Sequence, residues 1–302
     1  MNLQFLADGI LTGAMIGLGA IGVTLTYSIL RFANFAHGEF IAWGAYLALG
    51  VASASGWLVA GAAIPIGPLS FGWGLVLALL IAMPLTGLLA LALDWALFAR
   101  LRDKASSITV VMASFGASMA LRNLLEFLFT SRPAYFSREL QIAIRLGWGV
   151  RVTADQLALV ALTAILVISL NLVLSRTQIG RSMRAVSENR ALARVAGVDV
   201  DHVVRVTWLI GGALACASGV MIGLVVQIRP FMGFDMLLPL FAAAILGGIG
   251  SIPGALMGGL VVGIAEALSA ATVGAEWRAA AAFVLLIGIL LIRPAGLFGA
   301  RE

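Results

Sequence analysis

Apolar residues run along this chain in blocks of about twenty, a length that matches a helix crossing the hydrocarbon core of a bilayer. Within the blocks polar and apolar positions do not alternate as barrel strands would, so helices must satisfy the backbone in lipid. The blocks and their breakers predict spans near 6–29, 39–55, 73–99, 107–130, 155–174, 203–226, 235–249, 254–270 and 279–293. The seventh is short enough to be half a helix. The Gly- and Pro-rich stretch at 56–72 reads as a re-entrant or interfacial connector. The expected fold is an all-α polytopic membrane helix bundle of about eight to ten helices, some broken or re-entrant. It forms a single transmembrane domain over 1–302 with a loop at about 175–205.

Composition strengthens that picture. The 62% hydrophobic content and mean hydropathy of +1.08 lie far beyond the roughly 45–50% apolar usage of soluble domains. Nineteen basic residues against fourteen acidic ones give a net charge of +5, and Lys104 is the one lysine. Their placement reads as a topology signal, since no soluble segment is long enough to make a nucleic-acid-binding domain. With the N-terminus outside, the inner loops hold Arg31, Arg100, Arg102, Lys104, Arg293, Arg301 and the six arginines from Arg176 to Arg205. The outer side then holds Arg132, Arg138, Arg145, Arg151, Arg229 and Arg278, which favours an N-out, C-in orientation. The first thirty residues carry no Lys or Arg, so the first span is expected to be retained and not cleaved as a signal peptide. Cys216, alone in an apolar block, supports neither a disulfide framework nor a thiolate metal site and reads as a packing residue.

Three polar interruptions stand out. RFANFAHGEF, residues 31–40, sets Arg31, Asn34, His37, Gly38 and Glu39 between two apolar runs. It is either a short loop at the membrane surface or a broken helix lining a polar pathway. GGIGSIPGALMGG, residues 247–259, breaks a later run with Gly247, Gly248, Gly250, Pro253 and Gly254. Broken helices in both halves of a chain point to a transport site, and two tight inner turns are the competing reading. The largest island, 175–205, contains a predicted short helix over 187–195, capped by Ser187 and ended by Gly197. It is a solvated loop or a surface helix offered to a cytoplasmic partner.

Within the spans, Arg122 and Glu126 are four apart and are expected to neutralise each other, and Glu266 is a further buried charge. The pairs of glycines in GAMIG (13–17), GVMIG (219–223), GALMG (254–258) and GLVVG (259–263) favour close helix packing.

Enzyme chemistry finds little support. Lys104 sits in RDKASS, outside any phosphate-binding loop, so ATP energy must come from another subunit. His37 and His202 form no zinc-protease motif, and pairing a serine of FGAS (115–118) with His202 makes a poor intramembrane protease. A stand-alone transporter or channel coupling ions through His37 and Glu39 is the rival to an ATP-driven one.

YSILRFANFAHGEFIAWGAYLA (27–48) resembles the NFAHGE and GAY signature of permease subunits of branched-chain amino acid ABC importers. GRSMRAVSENRALARVAGVDV (180–200) is similar to their cytoplasmic loop, ILGGIGSIPGALMGGLVVGIAE (245–266) to their Gly-rich late segment, and RPAGLFG (293–299) to their C-terminal end. The resemblance holds in register from residue 27 to 299. It implies a multi-pass transport subunit of the bacterial inner membrane that has no ATPase site or cofactor of its own. Its implied partners are a second homologous permease chain, two cytoplasmic ATPase subunits that bind ATP and Mg, a periplasmic solute-binding protein and membrane lipid, with no nucleic acid. The implied solute is a branched-chain or hydrophobic amino acid, although related permeases carry urea, short amides or small carboxylates.

On the same resemblance residues 187–197 are a coupling helix, with Arg184, Glu188, Asn189, Arg190 and Gly197 meeting the ATPase. Asn34, His37, Gly38, Glu39, Gly247, Gly248 and Gly250 would shape the translocation pathway or its helix breaks. Arg31 and Phe32 depart from the apolar or small residues usual before the signature. Arg31 then either senses a solute carboxylate or anchors the inner surface by snorkelling.

Overall fold

Long helices separated at the predicted breakers dominate a computed structural model that describes residues 3–58, 64–102, 104–137, 141–147, 149–293 and 296–298. The chain runs through α1 (Gln4–Leu30), α2 (His37–Leu58) and α3 (Trp73–Leu93), which continues through a π-helical turn, Asp94–Phe98, into α4 (Ala99–Leu101). After α5 (Ser107–Phe129) comes a small antiparallel hairpin, β1 (Ile144–Gly147) and β2 (Val150–Val152), and then α6 (Ala154–Arg176). Two short helices, α7 (Gln178–Glu188) and α8 (Arg190–Val195), precede α9 (Val200–Val225), α10 (Met232–Gly247), α11 (Ile252–Thr272) and α12 (Arg278–Ile292). Among the described residues, seven helical stretches are long and apolar enough to cross a membrane, Trp73–Leu101 being taken as one. Part of the predicted connector at 56–72, part of RPAGLFG, Arg138 and Arg301 lie outside the described residues.

The core forms around α1, a helix apolar on every side and therefore suited to complete enclosure. Its GAMIG glycines interlock with GLVVG of α11: a β-carbon on Gly259 would lie 2.4 Å from the Cα of Gly17, and one on Gly263 2.3 Å from the nitrogen of Gly13. Backbone thus meets backbone where bulkier residues would hold the helices apart. Cys216, fully buried on α9, faces Gly44 of α2 as a packing residue. By contrast α6 and α12 turn most of their apolar surface outward, as helices that face lipid do.

Two local expectations need correction. The 175–205 island holds two helices where one was predicted, and Ser187 does not cap the second. Ser187 is still inside α7, where its hydroxyl donates to the carbonyl of Arg184 (2.7 Å). The cap is Asn189, whose extended backbone lets Oδ1 accept from the Leu192 N–H (2.9 Å). Gly197 ends α8 as predicted, with φ of 84°. The Arg122 and Glu126 side chains form no ion pair; Arg122 lies instead over the rings of Phe231 and Phe234, 5.0 and 4.7 Å from their centroids. Two aromatic faces at that distance attract a guanidinium without an exposed carboxylate.

Candidate functional site

The RFANFAHGEF stretch is a helix break. Arg31 closes α1 in the left-handed region (φ 60°), its N–H bonded to the Tyr27 carbonyl at 2.8 Å. Three residues later Asn34 starts α2: its Oδ1 accepts from the Ala36 N–H (3.1 Å) and its carbonyl from the His37 N–H (3.2 Å). The new helix begins inside the bundle and not at its surface. The His37 ring rests against Gly22 of α1, where a β-carbon would meet its Cε1 at 2.7 Å, and also reaches Gly211 of α9. Gly22 is eight residues from the end of α1, which places the start of α2 about 12 Å above that end, near half the roughly 30 Å hydrocarbon thickness.

A second helix starts at the same depth. A β-carbon on Gly38 would lie 2.4 Å from the carbonyl oxygen of Gly233, and one on Gly233 2.1 Å from that of Gly38, so the first turns of α2 and α10 cross in direct backbone contact. With sixteen residues α10 is about 24 Å long, short of a full crossing. The chain reaches its start through residues 226–231, where Ile228 bridges to Ala134. The N-termini of two helices, the full-length α2 and the shorter α10, therefore meet in the middle of the bundle, one entered from each side.

α5 supplies the polar wall. Ser114, Ser118 and Arg122 recur every four residues on one face and are buried. Ser114 Oγ accepts from the Phe35 N–H (3.1 Å), and Ser118 Oγ donates to Glu39 Oε1 (2.9 Å). One turn on, Trp43 Nε1 donates to the Leu121 carbonyl (3.1 Å). Glu39 is completely buried, its second oxygen has no hydrogen-bond partner among the described residues, and Arg122 is close enough to act on it electrostatically. In front of this wall Phe115 and Met119 of α5, with Phe231 and Phe234 at the start of α10, form an apolar face exposed by 41% to 47%.

The arrangement brings Asn34, His37, Gly38 and Glu39 together. Gly247, Gly248 and Gly250 lie elsewhere, in the tight turn between α10 and α11, with Gly248 and Gly250 at φ of 93° and 95°. Gly247 and Gly254 touch there, and Ser251 Oγ caps α11 by accepting from the Gly254 N–H (3.1 Å). The structural counterpart of the first break is thus the stretch before Met232, which sequence reasoning passed over. Its signal was a Pro and a Gly, Pro230 and Gly233, on either side of Phe231.

At the end of the bundle that carries α7 and α8, each predicted coupling residue has a definite place. Arg184 turns back to the end of α6, donating to the Leu174 carbonyl at 2.6 Å. Arg190 interacts electrostatically with Asp94 of the π-helical turn, itself paired with Arg102. Glu188 and Asn189 are exposed, and so are Leu192 (65%) and Val195 (86%) on α8, which sequence reasoning did not single out. Arg31 donates to the Ser187 carbonyl, tying the helix break to α7.

A family model described as the branched-chain amino acid transport system permease component matches residues 5–293. The high-affinity branched-chain amino acid transport system permease protein LivH of Escherichia coli is 32% identical, over 99% of this chain and 96% of its own length. The permease protein BraD of Pseudomonas aeruginosa, from a high-affinity branched-chain system, is also 32% identical over the same shares. A probable LivH permease of Methanocaldococcus jannaschii is 28% identical over 98% of this chain and 92% of its own.

Proposed function

The chain belongs to the family of permease components of branched-chain amino acid transport systems, and on that premise we propose how it passes its solute. It is a multi-pass subunit of an ABC importer in the cytoplasmic membrane. Its solute is a branched-chain or other hydrophobic amino acid, the class for which its relatives are named.

The observation that carries this reading is the meeting of two helix N-termini inside the bundle behind an exposed apolar face. Helix N-termini carry partial positive charge, and with Arg122 they favour a solute carboxylate at half depth. Phe115, Met119, Phe231 and Phe234 offer the aliphatic side chain an apolar wall. One such face encloses nothing, so a second homologous permease chain closes the pathway against it. Asn34, His37, Gly38 and Glu39 hold the break in shape, while Gly247, Gly248 and Gly250 fix the α10–α11 turn that holds α10 against α11.

Two cytoplasmic ATPases supply the energy and a solute-binding protein delivers from outside. α8 is the docking element: Leu192 and Val195 enter an apolar groove, Glu188 flanks it, and Asn189 and Gly197 set the two ends of the helix. Arg184 and Arg190 carry the motion inward through Leu174 and Asp94.

Uptake of labelled leucine into proteoliposomes tests the function. The chain assembled with a second permease and ATPases should take up leucine only with ATP, with valine and isoleucine competing. Uptake by the chain alone on an ion gradient would overturn the reading. Competition by urea, short amides or small carboxylates, and not by valine, would reassign the solute.

A further inference from the structure

A cavity of about 410 Å³ opens between the end of α1, the end of α6, α7 and the α10–α11 turn, within the span of about 300–1,000 Å³ usual for small-ligand sites. Arg31 and Arg184 both line it, and none of the described residues lining it is acidic. Tyr27, Ser175 and Ser251 add hydroxyls and Asn171 an amide. Each guanidinium is steered by a bond to a backbone carbonyl, Arg31 to Ser187 and Arg184 to Leu174. A guanidinium has five N–H donors, so one such bond leaves most of its capacity for a ligand.

We infer that this cavity binds a phosphate group, held between the Arg31 and Arg184 guanidinium groups. Arginine pairs suit phosphate because two parallel N–H groups meet two of its oxygens. The N-terminus of the 21-residue α11, capped by Ser251, adds partial positive charge at the same wall. The cavity also has a lipid-facing side: Asn171 and Ser175 lie on α6 beside the exposed Ile168 and Leu172. Basic pockets between membrane helices on the inner side receive anionic headgroups by this chemistry. A phosphate there would join α7 to the end of α1, adding to the Arg31 to Ser187 bond and stiffening the link between the surface helices and the break. The binding is independent of which solute the chain carries.

The full chain in phosphatidylcholine nanodiscs provides the test, with two probes. Spin-labelled phosphatidylglycerol should show an immobilised population that spin-labelled phosphatidylcholine lacks. The double variant Arg31→Gln with Arg184→Gln should lose it, by about fivefold in affinity per guanidinium, and Arg31→Lys with Arg184→Lys should retain part of it. Immobilisation that resists added inorganic phosphate assigns the site to a lipid headgroup. Radiolabelled phosphate bound in phosphatidylcholine nanodiscs, and lost in the glutamine variant, assigns it to a free phosphate. Equal behaviour of both lipid labels together with no bound phosphate overturns the proposal. Should the glutamine variant not fold, Tyr27→Phe with Ser175→Ala keeps both arginines and should weaken the same signal, and an unchanged signal counts against the site.

Discussion

Gly38 and Gly233 leave each other no room for a side chain. A methyl at Gly38 would come within 2.4 Å of a carbonyl in the opening turn of α10, an atom that cannot turn aside as a side chain can. Gly38→Ala should therefore lower the thermal unfolding midpoint in detergent sharply. Gly50→Ala on the same helix meets nothing within 4 Å and should gain up to about 1 kcal/mol of helix propensity. Equal midpoints for the two variants would mean that the α2–α10 crossing has room for a methyl group. Ser118→Ala removes a hydrogen bond to a buried carboxylate and should cost about 1–3 kcal/mol; Ser118→Thr, which keeps the hydroxyl, should recover most of the midpoint. The polar character of residues 31–40 was legible because such groups are costly among apolar runs. Their partner was not, since Ser118 follows Glu39 by 79 positions and resembles any small helix residue until the two helices meet.

Among the elements, α8 is six residues long and leaves Leu192 and Val195 in the open. Leu192→Asp with Val195→Asp should leave the permease folded while transport falls at least tenfold relative to the ATP hydrolysed, as read by paired uptake and phosphate-release assays. Coupling at the wild-type ratio would remove α8 from the docking surface. The helix after it begins at Asp199, where the His202 N–H holds the carboxyl below the usual carboxylate range. A depressed value means that the cap stabilises the helix at neutral pH and is lost as pH falls through the folded value. Protection of the first turn of α9 against hydrogen exchange should drop on acidification, and Asp199→Asn should remove that dependence. Helix ends were readable wherever Gly, Pro or a polar cluster broke an apolar run. The split between α7 and α8 was not, because Ser187 and Asn189 are both good caps and the contacts of α7 with α6 decide between them.

At the scale of the whole molecule, a central core of α1, α2, α9 and α11 is flanked by α6 and α12, which look outward, and by α5, attached to α2 largely through hydrogen bonds. A helix held by polar contacts along one side moves as a unit more readily than one locked by interlocking glycines. Opening of the pathway is accordingly expected at α5, with α1, α10 and α11 staying together. The bundle as a whole was legible from hydropathy alone, because lipid leaves helices as the only economical way to satisfy the backbone. Which two breaks face each other was not, since depth in the membrane is set by neighbours and not by spacing along the chain. The burial of Cys216 has a practical consequence. The chain's single thiol is sealed against α2, out of reach of maleimides, so the natural sequence already serves as a cysteine-free background for reporter groups. A cysteine placed at Met119 or Leu192 would carry the only accessible label, and distances between paired labels could follow the pathway and the docking helix through one turnover.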